Sequence, residues 1–458
     1  MPPPLDEHFR PAALANHRFL EGVKQSGSAC RLRIALERAE GETSVFDSFV
    51  YPAGHRLADA NCAFAERLVK TLLWQKGGWR IVVGGPAEVG EHIRSTYSPS
   101  GARAFDAQLM GNVFERPFKV ELAKAEEIPD ATERSVPLGR HLDGCRIGFD
   151  AGASDRKVAA VVEGKVVFSE EVPWDPKNQS DPEYHYRGIT AALRSAAEHM
   201  PRVDTIGVSA AGIYLNNRVK VASLFRSVPN DVFQEKVTGL FLRIKRDWDE
   251  VALEVLNDGD VTALAGSMSL GENGVLGISM GSSEAGGYVN EKGEITGWLN
   301  ELAFVPVDLS PQAPVDEWSG DRGCGSQYFS QEAAVRLARG AGIPLDETKS
   351  RAEQLEAVQE ALAAGEERAA RVFESIGCYT GHGIAHYADF YDIRHVLVLG
   401  RVTSGEGGNI ILRVAQQVLR EEFPDLAQRI SLHLPDESGR RVGQAIAAAS
   451  LPRIGERN

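Results

Sequence analysis

Residues 148–154 read Gly148-Phe149-Asp150-Ala151-Gly152-Ala153-Ser154, between a short apolar strand at 146–149 and the apolar alternation VAAVVEGKVVF at 158–168. Asp150 falls where the strand ends, and Gly152 lacks the Cβ that would keep a backbone from folding closely around an anion. Ser154 adds a hydroxyl to the amide donors of Gly152 and Ala153. A carboxylate beside a phosphate turn cannot hold the phosphate, since like charges repel; its natural task is to hold Mg2+ through water. The segment also suits the first turn of a β-hairpin, so its meaning depends on what accompanies it.

The chain has 458 residues, 43% of them hydrophobic, enough for two or three domains with real cores. Five cysteines, Cys30, Cys62, Cys145, Cys324 and Cys378, are scattered and never spaced as CxxC. That pattern argues against a disulfide framework and a thiolate zinc cluster, and for a reducing cytoplasm. The N-terminus MPPPLDEHFR has no apolar stretch of signal type, and no window is long enough to span a bilayer. A net charge of -14 without a basic run disfavours nucleic acid.

Residues 1–140 carry 18 basic and 18 acidic side chains, so the negative excess lies wholly in 141–458. With the charged, Pro- and Gly-containing stretch KAEEIPDATERSVPLGRHLDG, this places a boundary near 125–143. Beyond it the periodicity predicts strands at 146–150, 158–162 and 165–171, a helix near 184–199 and a strand at 205–212. A second pass follows: a strand at 251–260, a helix near 260–268, and strands at 274–281 and 286–297. Helices are then expected at 329–340, 350–375 and 376–390, a strand at 395–400, a helix at 407–422 and an Ala-rich helix at the end.

Three further segments carry chemistry. In LNDGD, 256–260, a strand delivers Asn257 and Asp258 where side chains of an α/β sheet reach a ligand crevice. Asp258 suits a general base, and Asn257 suits orienting a neighbouring hydroxyl. The same residues also suit capping of the next helix. In SMGSSEAGG, 279–287, small residues between two strands make a turn with free amides at Gly281, Ser282 and Ser283. In HVLVLGRVTSG, 395–405, a buried strand stops at Gly400, a geometry suited to a flat nucleoside over the turn.

This order of motifs resembles the ROK family of sugar kinases, in the actin, Hsp70 and hexokinase superfamily, over about 144–452. The resemblance implies a two-lobed, actin-like α/β fold (ribonuclease H-like) carrying an additional N-terminal α/β domain at 1–140. Residues 144–256 would form the small lobe, 257–435 the large lobe, and 436–452 a C-terminal helix returning to the small lobe. The family's DxGxT-type turn is similar to DAGAS, which gives Asp150, Gly152, Ala153 and Ser154 the Mg-phosphate role. VSAAG, 208–212, looks like the sugar-pocket strand, with Ala211 where proline is usual, followed by Gly212. The family's catalytic ND pair falls on Asn257 and Asp258, its second phosphate turn on Gly281, Ser282 and Ser283, and its adenosine-side turn on Gly400 and Arg401. NELAF, 300–304, is similar to the sugar-binding GExGH segment; it keeps Glu301 and replaces the histidine with Phe304.

Where many relatives have a CxCGxxGC zinc cluster this chain has GCGSQYFS, so no structural zinc is expected. His382 and His386 stand one turn apart in an apolar helix and read as packed core. Glu284, inside the second phosphate turn, reads either as a solvent-facing loop residue or as a carboxylate that would repel triphosphate. Trp298 and Trp318, which flank Glu301, suit a sugar face or buried packing. Residues 1–140 match no motif, but CRLRIAL, a hairpin, a helix near 60–75 and WRIVVGGP echo the opening of the later unit, as a degenerate copy would. The implied activity is ATP- and Mg2+-dependent phosphorylation of a sugar or polyol hydroxyl by a cytoplasmic homodimer. A non-catalytic sugar sensor or scaffold, or an ATPase with another partner, is the alternative.

Overall fold

The computed structural model describes every residue except 134, 136, 137, 153, 154, 436 and 456–458, with the backbone alone at 437–442. Its first strands are β1 (Cys30–Ala39), β2 (Glu42–Val50), β3 (Arg80–Gly84) and β4 (Lys119–Ala123). They form one sheet in the order β2-β1-β3-β4. The apolar cores of β1 and β3, with Leu32, Ile34, Leu36, Ile81 and Val83 buried, make these the central strands. Helix Ala60–Lys76 contributes Phe64, Leu68, Leu72 and Trp74 to the buried interior.

The second sheet is made of β5 (Cys145–Ala151), β6 (Asp155–Val162), β7 (Lys165–Pro173), β8 (Thr205–Ala210) and, after the ribbon of β9 (Ile213–Leu215) and β10 (Arg218–Val221), β11 (Ala252–Asn257). Its order is β11-β8-β5-β6-β7. β5, β8 and β11 are parallel neighbours, while β6 and β7 extend β5 as an antiparallel meander. The terminal helix Glu437–Ala449 lies directly on this sheet. A Cβ at Gly148 would come within 1.7 Å of the Ala445 carbonyl, and one at Gly207 within 1.6 Å of the Ala448 carbonyl, so only glycine admits the Ala-rich helix so closely. The last strands, β12 (Val275–Met280), β13 (Glu284–Val289), β14 (His395–Leu399) and β15 (Ser431–His433), form a sheet ordered β13-β12-β14-β15.

The chain divides into two compact units. One comprises Met1–Arg134, Ser279–Gly286 and Gly297–Leu434; the other comprises Ser135–Ile278, Gly287–Thr296 and Pro435–Asn458. This division differs from the lobes read along the sequence. Residues 1–134 share a unit with 297–434, because side chains such as Lys70 and Trp74 are partnered there, by Asp321 and Phe304. Helix Asp258–Leu270 belongs with the β5–β11 sheet, because Val261, Ala263 and Leu264 pack with Ala447, Ala448 and Leu451.

Two local expectations change. The boundary between the helices expected at 350–375 and 376–390 falls earlier: they are Arg351–Ala363 and Glu367–Tyr387, with Gly365 at φ 82° between them. The front region is α/β but is not a copy of the later half. β3 runs antiparallel to β1, whereas β8 runs parallel to β5. Apolar runs report burial and carry no information about strand direction, which is why the two stretches look alike in sequence.

Candidate active site

In the second unit the parallel strands end together. Asp150 lies beside Ser209, Ala151 beside Ala210, and Ala210 beside Asn257. The carboxyl edge of β5, β8 and β11 therefore presents Asp150, Ala211–Gly212 and Asn257–Asp258 on one side, where open α/β sheets bind ligands. Asp150 is buried and accepts a hydrogen bond of 2.9 Å from Ser209 Oγ. Ser209 Oγ in turn accepts from Gln444 Nε2 at 2.9 Å, and the same amide donates to the Asp258 carbonyl at 3.3 Å. Burial pushes the Asp150 carboxyl up to about 7; the Ser209 hydroxyl opposes this and the Asp258 charge adds to it. Burial likewise raises Asp258, countered by the Gly259 amide, which donates to its Oδ1 at 3.1 Å.

Asn257 caps helix Asp258–Leu270: its Oδ1 accepts from the Gly259 amide at 2.7 Å, and its Nδ2 donates to the Gly212 carbonyl at 2.7 Å. Both ends of the side-chain amide thus hold backbone, and they fix the β8 turn against the start of the helix. The capping reading of Asn257 is the one observed. Asp260 accepts from the Tyr288 amide at 3.3 Å. The Ala211 carbonyl accepts from Tyr214 Oη at 3.1 Å, and the Gly152 carbonyl accepts from Trp174 Nε1 at 2.8 Å. β5 and β6 pair antiparallel, as the hairpin reading of 148–154 expects; Ala153 and Ser154 lie outside the described residues.

The first unit holds the remaining candidates. Ser282 and Ser283 are exposed in the turn between β12 and β13, where the Gly281 amide donates to the Ser283 carbonyl at 3.0 Å. Gly400 ends β14 at φ 101°, and a Cβ there would lie 2.5 Å from the Met280 carbonyl, so β14 terminates against the start of that turn. Arg401 is exposed, and its carbonyl accepts from Gln359 Nε2 at 2.8 Å. Glu301 opens the short turn Leu302–Phe304, and its amide donates to the Trp74 carbonyl at 3.0 Å.

Glu284 corrects the expectation of a solvent-facing residue. Its side chain is buried, Tyr387 Oη donates to Oε1 at 2.9 Å, and burial pushes the carboxyl up to about 8. Glu284 therefore turns inward, because β13 begins at this residue and the pleat sends alternate side chains into the unit. His382 and His386 are core residues, lowered to about 4 by burial. Trp318 is 54% exposed and packs edge-on against Phe304 and Phe105; Trp298 lies under the Lys76 ammonium at 4.0 Å. Burial pushes the Cys324 thiol up to about 12, and among the described residues no group of three His, Cys, Asp or Glu is placed to hold a metal ion. No described helix is long and apolar enough to cross a membrane.

The sequence reading missed Gln444 and Ser209. A lone amide in the otherwise small and apolar GQAIAAAS was the available signal for the first.

No protein-family model matches the chain, and no curated protein matches it by sequence. Solved structures do. A ROK hexokinase from Thermus thermophilus superposes with a TM-score of 0.53 at 17% identity, covering 67% of this chain and 97% of its own. The fold is that of the ROK-family sugar kinases. A ROK family glucokinase from Streptomyces griseus, solved with glucose and AMPPNP, gives 0.52 at 20% identity over 68% of this chain and 100% of its own. A ROK family transcriptional regulator, a homolog of the E. coli MLC protein, gives 0.55 at 18% identity over 68% and 79%. The ROK fold thus accounts for about two thirds of the residues.

Proposed function

We propose that the protein is an ATP-dependent kinase for a hydroxyl of a sugar or polyol, with Asp258 as general base. The observation that carries this is the pair of strand-end carboxylates, the buried Asp150 and the partly buried Asp258, at the coincident ends of β5 and β11. A base must hold its proton affinity near the working pH, and burial raises Asp258 in that direction. In the reaction the substrate oxygen bonds to the γ-phosphorus, the bond to the β-phosphate oxygen breaks, ADP leaves, and the hydroxyl proton passes to Asp258. Asn257 holds the base by capping its helix, and Glu301 binds a substrate hydroxyl.

The amides around Gly152 and those of Ser282 and Ser283 hold phosphates, the Gly281 amide, expected free from the sequence, being taken by the Ser283 carbonyl, with Gly400 and Arg401 on the adenosine side. Asp150 fits Mg2+, because one strand-end carboxylate suits an ion that keeps most of its waters. When bound, that ion neutralises charge on the phosphates. Glu284 is no obstacle to triphosphate, since its carboxyl faces the interior and stays largely neutral below pH 8. A cytoplasmic location and a homodimer belong to the same reading, and light scattering tests the latter. The decisive test is a coupled ADP-release screen over sugars and polyols. Asp258→Asn should abolish turnover of any substrate found, and full turnover by that variant would sink the assignment.

The likeness to a ROK regulator favours a second reading, a sugar sensor without catalysis. Calorimetry separates the two: a pure sensor does not bind Mg-ATP.

A further inference from the structure

The first unit contains a charged cluster that the proposed chemistry does not use. Lys70, on helix Ala60–Lys76, is 1% exposed, and its ammonium lies 3.0 Å from Asp106 Oδ2. The same ammonium pairs with Asp321, whose other oxygen is taken by Arg103, and Arg103 also reaches Glu66 at 3.2 Å. Asp106 is fully buried, so the cluster is an interior ion network. Burying ions gains little net stability, because desolvation offsets the attraction; what such a network enforces is geometry.

That geometry continues toward Glu301. One helical turn beyond Lys70, the Trp74 ring stacks on Phe304 at 4.1 Å between centroids. The last-turn carbonyls of the same helix, which have no intrahelical donor, accept the Asn300 amide at 2.8 Å (Gln75) and the Glu301 amide at 3.0 Å (Trp74). Asn300 sits at φ 52°, a left-handed conformation that its surroundings must hold, and Tyr391 Oη donates to its Oδ1 at 2.8 Å. Residues 10–12 grip the extended segment that follows, with the Ala12 amide donating to the Val307 carbonyl at 2.9 Å and the Leu309 amide to the Arg10 carbonyl at 2.9 Å.

We infer that residues 1–134 act as a clasp on the 300–324 segment, in which Lys70 and Trp74 are positioning residues that fix the Glu301 turn for its substrate hydroxyl. The part about substrate rests on the role given to Glu301 above; the clasp itself does not. Asp321 is the clean point to cut, because Asp321→Asn leaves Lys70 paired with Asp106 and Arg103 paired with Glu66.

The experiment is hydrogen exchange by mass spectrometry on the full chain. In Asp321→Asn, peptides spanning 299–305 should exchange about 10-fold faster while those over β14 stay unchanged, and Asp321→Glu should restore protection. Unchanged exchange at 299–305 overturns the clasp. Should Asp321→Asn not fold, Trp74→Met is read in the same way: it removes the ring stacked on Phe304, and with it the Lys70 cation–π contact at 5.7 Å, while every ion pair of the network keeps both partners. With D-glucose as acceptor, KM for the sugar should rise in Asp321→Asn and recover in Asp321→Glu, with KM for ATP constant. If exchange rises as expected but the wild-type protein phosphorylates nothing, the kinase reading fails and the clasp stands.

Discussion

The front sheet and the β5–β11 sheet begin with nearly the same words, CRLRIAL and CRIGFDA, yet they bury charge in opposite ways. In the front region the buried Asp106 has the Lys70 ammonium 3.0 Å away. In the later sheet the buried Asp150 has a hydroxyl, an amide beyond it, and a second carboxylate raising its proton affinity. A carboxylate buried with its counter-ion serves structure. One buried without a counter-ion, beside a hydroxyl and a second carboxylate, is pushed up toward neutral pH, a perturbation of the kind that clusters at functional sites. The comparison contrasts a sheet to which the proposed chemistry belongs with one whose buried charge is paired.

The strongest way to break it is Asp258→Asn, for which kcat should fall about 10^2- to 10^4-fold with the thermal midpoint little changed, measured by ADP release and calorimetry. A comparable loss on the stability side is expected in the front region. Lys70→Met strands Asp106 in the interior and should cost about 3–5 kcal/mol in urea unfolding.

The pH dependence sharpens the contrast from the other side. The folded Asp150 carboxyl titrates at about 7, above its unfolded value of about 3.9, so the folded state holds the proton longer. Stability must then fall as pH rises through that window and level off above it. In metal-free protein, Asp150→Asn should match the wild type near pH 4 and exceed its stability at pH 8, by an amount on the order of a few kcal/mol. Equal stability at both pH values would show that Asp150 is not buried as described. The smallest effect is expected from Asn257→Ala, where loss of the helix cap should cost about 1 kcal/mol of stability. Its kcat should fall far less than in Asp258→Asn, since Asn257 holds backbone at both ends of its amide.

Much of the candidate site was legible along the chain. Strand ends are marked by where apolar runs stop, and that alone put Asp150, Asp258 and Gly400 at the ends of β5, β11 and β14. Glu284 was misjudged because a string of small residues looks like an exposed turn throughout; whether the strand begins at residue 284 or 286 decides which way the side chain points. Gln444 was missed because it lies 186 residues from the Asp258 carbonyl that its amide approaches.

The sequence by itself determined the α/β class, the order of the elements and the polar residues at their ends, because these follow from local periodicity and from the distinctive backbone needs of glycine and the capping residues. Only the tertiary structure decided that β3 opposes β1 while β8 follows β5, that residues 1–134 join the unit of 297–434, and which carboxylates have counter-ions. Strand direction, grouping and charge pairing are set by contacts between residues far apart in the chain, and hydropathy records that a residue is buried without recording against what.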